Sequence, residues 1–318
     1  MSSRTDLRTV LDSYLARHPT ESTRLADVAA ALDAVHNTPD PLPVTCSAVV
    51  VDRARRILHT SSVPAGPGLP GAKLRRGDRS PLATALRAVH DQTGIPPGDL
   101  CLTPQHLRTP IDIAPGPGAT SRAPDAPIAD LRFAFHLAHT PSTAARWQPT
   151  ADTALAELKA KVSGLDGQTP PLNASALIYN SRGEYLLHLR DMRDGIWAPG
   201  CWALLGGGHE PGDRTPQDTI LRELAEEAGI VPQRLEAFLD EEVRDEDGLT
   251  VPVRIFTALW EGDPAQLPLT EGVMLAWFPP ATMPRLRLGG ETLELVQRHA
   301  RVCTVSGVTP ELEATVDD

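Results

Sequence analysis

Three glutamates set the chemistry of this chain. Glu223, Glu226 and Glu227 lie in the segment Leu221-Arg222-Glu223-Leu224-Ala225-Glu226-Glu227-Ala228-Gly229-Ile230. At ~100° per residue they fall within one narrow arc of a helix. Leu221, Leu224, Ala225 and Ala228 fall on the opposite arc and are expected to anchor the helix on a core. Like charges at i,i+3 and i,i+4 repel. A hard divalent cation relieves that repulsion, and oxygen ligands suit it. The bland alternative is a solvated acidic helix face.

Before the helix comes Gly206-Gly207-Gly208-His209-Glu210-Pro211-Gly212-Asp213-Arg214-Thr215-Pro216. Thr215 is expected to cap the helix, with Pro216 at its first position and Asp218 as the capping-box acid. Gly229 is expected in the left-handed position that stops it, with Pro232 beyond. The glycine run lets a bulky anion approach the backbone.

Together, loop and helix resemble the Nudix box, G-x5-E-x7-R-E-U-x-E-E-x-G-U, of the Nudix hydrolases. The match covers Gly207, Asp213, Arg222, Glu223, Leu224, Glu226, Glu227, Gly229 and Ile230. Asp213 stands where the family has Glu, and eight residues separate it from Arg222 instead of seven. The resemblance implies hydrolysis of a diphosphate linked to another moiety, with Mg²⁺ or Mn²⁺ as cofactor. It implies Glu226 and Glu227 as metal ligands, Glu223 as ligand or general base, and Arg222 as the residue that orients a box carboxylate, by pairing with Asp213. Asp213 and Gly229 then have structural roles in the box. Gly207 and Gly208 would face the substrate.

Two further stretches resemble the family. Upstream, Leu187 to Trp202 is similar to L-x-x-R-D followed by P-G-x-W, which makes Arg190 and Trp197 candidate substrate-binding residues. Trp197 either stacks on a flat group or packs in the core; Trp202 is assigned to the core. Downstream, Glu271-Gly272-Val273-Met274-Leu275-Ala276-Trp277 resembles a stretch that supplies a metal ligand from outside the box, here Glu271.

The elements around these residues follow from periodicity. Leu7, Val10, Leu11, Tyr14 and Leu15, then Leu25, Val28, Ala29 and Leu32, read as a helical hairpin over residues 1–45. Strands are expected at Ser47–Val51, Arg56–His59, around Leu131–Leu137, Ala174–Asn180, Glu184–Leu189, Phe238–Arg244 and Leu249–Trp260, and helices at Ala151–Val162 and Glu291–Ala300. Gly98–Pro127, rich in Pro and Gly, reads as loops. Gly66-Pro67-Gly68-Leu69-Pro70-Gly71 fits G-x-G-x-x-G but has two prolines and no helix opening on it, so it is rejected as a dinucleotide site.

The segment from Leu69 aligns with the box at a constant offset of 135. It carries Ala72 and Lys73 for Gly207 and Gly208, and Ala88, Asp91 and Gln92 for the three glutamates. The caps Ser80, Pro81 and Gly94 persist. This reads as an internal repeat. The expected organisation is a degenerate Nudix-like domain at 46–164, a catalytic one at 165–303, a linker at Gly164–Pro171 and an acidic disordered tail at 304–318. If Trp147 matches Trp277, Pro141 replaces Glu271. The expected fold class is mixed α/β of α+β type, with two α/β/α sandwiches that could pack as an intrachain pseudo-dimer.

Composition bounds the partners. The chain has 318 residues, 41% hydrophobic and 22% charged, with net charge -11. That argues against a nucleic-acid polymer or an anionic membrane as main partner. Four scattered cysteines, Cys46, Cys101, Cys201 and Cys303, suggest free thiols in a reducing, cytoplasmic compartment. No signal peptide or membrane-spanning run is read. Two rival functions are weighed. An isopentenyl-diphosphate isomerase would place a cysteine where Gly207 stands. A nucleotide- or metabolite-binding sensor would have less need of three stacked glutamates. Nucleoside triphosphates, ADP-ribose-like dinucleotides, nucleotide sugars and prenyl diphosphates all stay open as substrates.

Overall fold

The computed structural model describes residues 4–34, 44–60, 68–75, 77–103, 106–119, 126–140, 146–149, 156–165, 173–193, 196–210 and 212–305. The positions of Pro141 and Pro211, most of the expected linker, residues 151–155 of the expected helix and residues 306–318 of the tail lie outside them. The fold is mixed α/β, in two compact units: residues 1–170 with 244–250, and residues 171–243 with 251–318.

The first unit opens with helices α1 (Arg4–Arg17) and α2 (Ala26–Ala34). Strands β1 (Val44–Val51), β2 (Arg56–His59) and β3 (Gly71–Lys73) follow, then helix α3 (Pro81–Thr93). After it come β4 (Leu100–Leu102), β5 (Asp112–Pro115), β6 (Ala129–Leu137), β7 (Arg146–Pro149) and helix α4 (Ala156–Val162). The strand β1 pairs parallel with β6 and antiparallel with β2 and β3. Two expectations need correction. Gly98–Pro127 holds strands β4 and β5, because their residues complete the β6 edge despite the local Pro and Gly content. Nor is β6 half-buried: Phe133, Ala134 and Phe135 are all buried, as a strand covered on both faces must be.

The N-terminal helices are tied to this unit by a buried charge network. Asp112, fully buried, receives Lys161 Nζ at 2.6 Å, Arg132 Nη1 at 2.8 Å and Arg24 Nη2 at 3.2 Å. Lys161 also reaches Glu21 Oε1 at 2.8 Å, and the Tyr14 hydroxyl donates to Glu21 Oε2 at 2.7 Å. A buried carboxylate surrounded by three cations is the arrangement in which desolvation is offset.

The second unit has β8 (Asn173–Tyr179), β9 (Tyr185–Leu189), β10 (Trp202–Ala203), β11 (Leu205–Gly208), helix α5 (Pro216–Ala228), β12 (Glu236–Arg244), β13 (Thr250–Leu259), β14 (Met274–Phe278) and helix α6 (Thr292–Val305). Thr304, expected in the tail, is in α6. Strand β8 pairs parallel with β13 and antiparallel with β9 and β11; β9 also pairs with β10 and β14. Side chains alternate across the sheet. Ala174, Ala176, Ile178 and Leu186 pack with Ile220, Leu224 and Ala228 of α5. Leu177, Tyr185 and Leu187 pack with Leu295 and Val296 of α6. One layer of helix therefore lies on each face.

The pairing scheme recurs between the units. In each, a central strand pairs antiparallel with the next strand, antiparallel with the strand leading into a capped helix, and parallel with a later strand. Leu58 pairs with Trp147 as Leu186 pairs with Trp277. The four cysteines form no disulfide. Among the described residues, no helix is long and apolar enough to cross a membrane.

Candidate active site

Helix α5 begins and ends on the expected residues. The Thr215 side chain accepts from the Asp218 N–H, and the Asp218 carboxylate accepts from the Thr215 N–H, a complete capping box. Gly229, at φ 63°, stops the helix in the left-handed region. The apolar stripe is corrected, however. Ile220, Leu224 and Ala228 are buried, whereas Leu221 and Ala225 are exposed. The buried arc is rotated toward Thr219 and Glu227, and this rotation gives the three glutamates unequal surroundings.

Glu227 is 4% exposed. Burial pushes its carboxyl up to about 7, although the Gly206 N–H donates to its Oε2 at 3.2 Å. Glu223 is half-buried and burial raises its carboxyl too, with Arg222 opposing. Glu226 is out in solvent, its side chain 62% exposed.

Arg222 organises the rest. Its guanidinium donates to both oxygens of Asp213, at 3.2 and 3.0 Å, and to the Gly208 carbonyl at 2.8 Å. These bonds hold the Asp213 carboxyl far below the usual carboxylate range. Asp213 also accepts from the Glu210 N–H at 2.9 Å, which closes the loop. Arg222 Nη1 further lies 3.0 Å from Glu223 Oε1 and 3.1 Å from Glu226 Oε2.

The glycine run is pressed against this helix. A Cβ on Gly207 would lie 2.3 Å from Glu223 Oε1, and Gly206 has φ 142° with its Cβ position blocked by the Ala174 carbonyl at 2.2 Å. Gly208 is less crowded. Neither Gly206 nor Gly207 has room for a side chain, so the loop backbone and the carboxylates share one surface.

The candidates outside the box gather at the C-terminal end of α5. Thr270 donates its N–H to the Glu227 carbonyl at 3.0 Å and its hydroxyl to the Glu226 carbonyl. Glu271, half-exposed, lies 3.9 Å from Arg190 Nη2 and close enough to Glu227 to add to its raised carboxyl. Arg190 donates to the Trp197 carbonyl at 2.7 Å, and its guanidinium stands 6.0 Å from the Trp197 ring centroid. Trp197 is 48% exposed, with Gly289 and Gly290 against one edge of its ring. Trp202 packs edge-on against Phe278 in the α6-side core.

One neighbour was missed from the sequence. His188 on β9 is buried under Gly272, in the middle of an apolar run that gives no sign of a polar role.

A hard divalent cation suits this donor set, which is all carboxylate oxygen. Among the described residues, no three His, Cys, Asp or Glu side chains converge in metal-holding geometry. The physical reason is the guanidinium between Glu223 and Glu226, which already neutralises part of their charge, and the turn of Glu227 toward Gly206.

In the first unit a similar loop and capped helix are built around fewer acids. Arg87 donates to Asp78 at 3.1 and 2.8 Å and to the Lys73 carbonyl at 3.3 Å; the Arg75 N–H donates to Asp78 at 2.8 Å. Ser80 caps α3 and Gly94, at φ 74°, ends it. Gln92 donates to the Gly71 carbonyl at 2.7 Å.

Residues 169–299 match the family model described as NUDIX domain. No curated protein matches the chain. Among solved structures, it is similar to the NUDIX domain of Shewanella oneidensis NrtR complexed with ADP ribose, at 23% identity and TM-score 0.38 over 47% of this chain and 99% of that one. It is similar to the MutT NUDIX hydrolase from Burkholderia pseudomallei, at 23% identity and TM-score 0.34 over 41% and 98%. A C. elegans Ap4A hydrolase matches at 20% identity and TM-score 0.34 over 42% and 98%.

Proposed function

From the NUDIX-domain match over residues 169–299 and the site just described, we propose that the second unit is a metal-dependent hydrolase of a diphosphate bond. Its substrate is a nucleoside diphosphate linked to another moiety, either a nucleoside triphosphate or a nucleotide conjugate. The observation that carries this reading is the Arg222–Asp213 clamp, which locks a capped helix with three glutamates against a glycine backbone that has no room for side chains.

Glu223, Glu226, Glu227 and Glu271 would hold Mg²⁺ or Mn²⁺. When bound, the cation would neutralise phosphate oxygens and acidify a water for in-line attack. Arg222 keeps Glu223 and Glu226 oriented and in reserve through its hydrogen bonds to both. Glu223 serves as ligand or as the base that takes the proton from water. Arg190 and the exposed part of Trp197 receive the flat or anionic part of the leaving moiety. The first unit is a degenerate copy and takes no part in the chemistry: Ala88 and Gln92 remove two of the three carboxylates.

The test is Mg²⁺-dependent phosphate or pyrophosphate release over a panel of nucleotides and nucleotide conjugates. Glu226→Gln and Glu227→Gln are expected to lose roughly 10²-fold or more in rate, and Asp91→Asn in the first unit nothing. Turnover that survives Glu227→Gln would refute the assignment.

A second reading is a nucleotide- or metabolite-binding regulator. One observation favours it: Arg222 already fills the space between Glu223 and Glu226 with positive charge. Ligand binding without turnover, insensitive to Glu226→Gln, would select it.

A further inference from the structure

The two-residue segment Glu271–Gly272 is pinned at both ends. Before it, Thr270 donates to the carbonyls of Glu226 and Glu227 at the end of α5. After it, the Val273 N–H donates to the Leu189 carbonyl at 2.8 Å. Between these points the backbone rests on an imidazole. Gly272 has φ 82°, and a Cβ there would lie 1.7 Å from His188 Nε2 and within 2.8 Å of two ring carbons.

His188 is 1% exposed. Neither ring nitrogen makes a well-formed hydrogen bond, although the Glu271 backbone lies near enough to the ring to act on it as an acceptor. Buried polar atoms without partners are rare, because burial forfeits their bonds to water. Leucine, which flanks position 188 on both sides in β9, would fill the space at no such penalty. The ring therefore stands as a wedge between β9 and the strap.

We propose that His188 is a positioning residue for Glu271. Its ring sets the height of the Glu271–Gly272 strap over β9 and thereby holds the Glu271 carboxylate beside Glu227. The inference rests on the reading of Glu271 as a metal ligand.

The experiment measures Mn²⁺ binding by EPR titration of the full-length protein, alongside kcat and KM, for His188→Ala, His188→Phe, Glu271→Gln and the double variant His188→Ala/Glu271→Gln. His188→Ala is expected to weaken Mn²⁺ binding about tenfold and to lower kcat with KM unchanged. His188→Phe, which keeps a ring of similar width, is expected to restore most of both. In the Glu271→Gln background, His188→Ala is expected to add nothing. Equal losses from His188→Ala in both backgrounds would overturn the proposal, as would unchanged Mn²⁺ affinity in the single variant. Gly272→Ala pushes the same strap from the other side and gives the answer if His188→Ala does not fold. If Glu271→Gln itself leaves Mn²⁺ binding intact, the reading of Glu271 as a ligand has failed, and the wedge has no carboxylate to position.

Discussion

The backbone of Gly207 and the carboxylate of Glu223 compete for one space: a Cβ at position 207 would meet Glu223 Oε1 at 2.3 Å and Cδ at 2.4 Å. The first unit has an alanine at the matched position, Ala72, and also an alanine, Ala88, where Glu223 would stand. The two changes relieve each other. Gly207→Ala alone is therefore expected to displace Glu223 and lower kcat by about tenfold or more, a barrier change of about 1.4 kcal/mol. Gly207→Ala/Glu223→Ala is expected to be inactive yet to melt no lower than Glu223→Ala alone. Thermal melts and initial rates on the three variants check this, and a double variant that melts well below Glu223→Ala would refute the steric account.

Asp213 and Asp78 offer a matched pair. Each accepts two bonds from an arginine of the following helix and one from a loop N–H. Asp213→Asn is expected to free Arg222 to sit on Glu223 and Glu226, with about a tenfold fall in kcat. Asp78→Asn is expected to lower the melting temperature of the first unit and leave turnover unchanged. Calorimetry with parallel rate measurements separates the two.

The charge network at the N-terminal helices predicts an acid transition in the first unit. Burial alone would raise the Glu21 carboxyl, but bonds from Lys161, Tyr14 and Arg24 hold it down to about 2. A depressed carboxyl stabilises the fold above its unfolded value, near 4.5, and that contribution is lost as pH falls through about 2. Glu21→Gln is expected to reduce stability by about 1 kcal/mol at pH 7 and to converge with the parent protein near pH 2. Hydrogen exchange of α1 across this range is the measurement. A constant difference down to pH 2 would contradict the linkage.

Trp197 stands half in solvent with Arg190 beside its ring. Stacking of a base there is expected to quench its fluorescence. Trp197→Ala is expected to raise KM by about tenfold with little change in kcat, since stacking on an aromatic ring contributes ~1–3 kcal/mol per base. An unchanged KM for every nucleotide tested would remove Trp197 from the binding surface.

Local patterns in the chain were enough to locate α5, its capping box and its left-handed stop at Gly229. Each of those depends on residues within one or two turns of one another, where spacing and residue type decide the outcome. The match of Trp147 to Trp277 was only a condition in the sequence; the strand registers set Trp147 opposite Leu58 and Trp277 opposite Leu186. What the chain could not show was which side of α5 the sheet would cover. Helical periodicity offers two neighbouring arcs of similar hydrophobicity, and only packing against Ala174, Ala176 and Ile178 buried Ile220 and left Leu221 and Ala225 outside. That choice also buried Glu227 and exposed Glu226, two residues alike in sequence and adjacent in the chain. The wedge of His188 under Gly272 was invisible for the same reason. It depends on β9 and β14 pairing side by side, and a contact between strands far apart in sequence leaves no periodic mark on either.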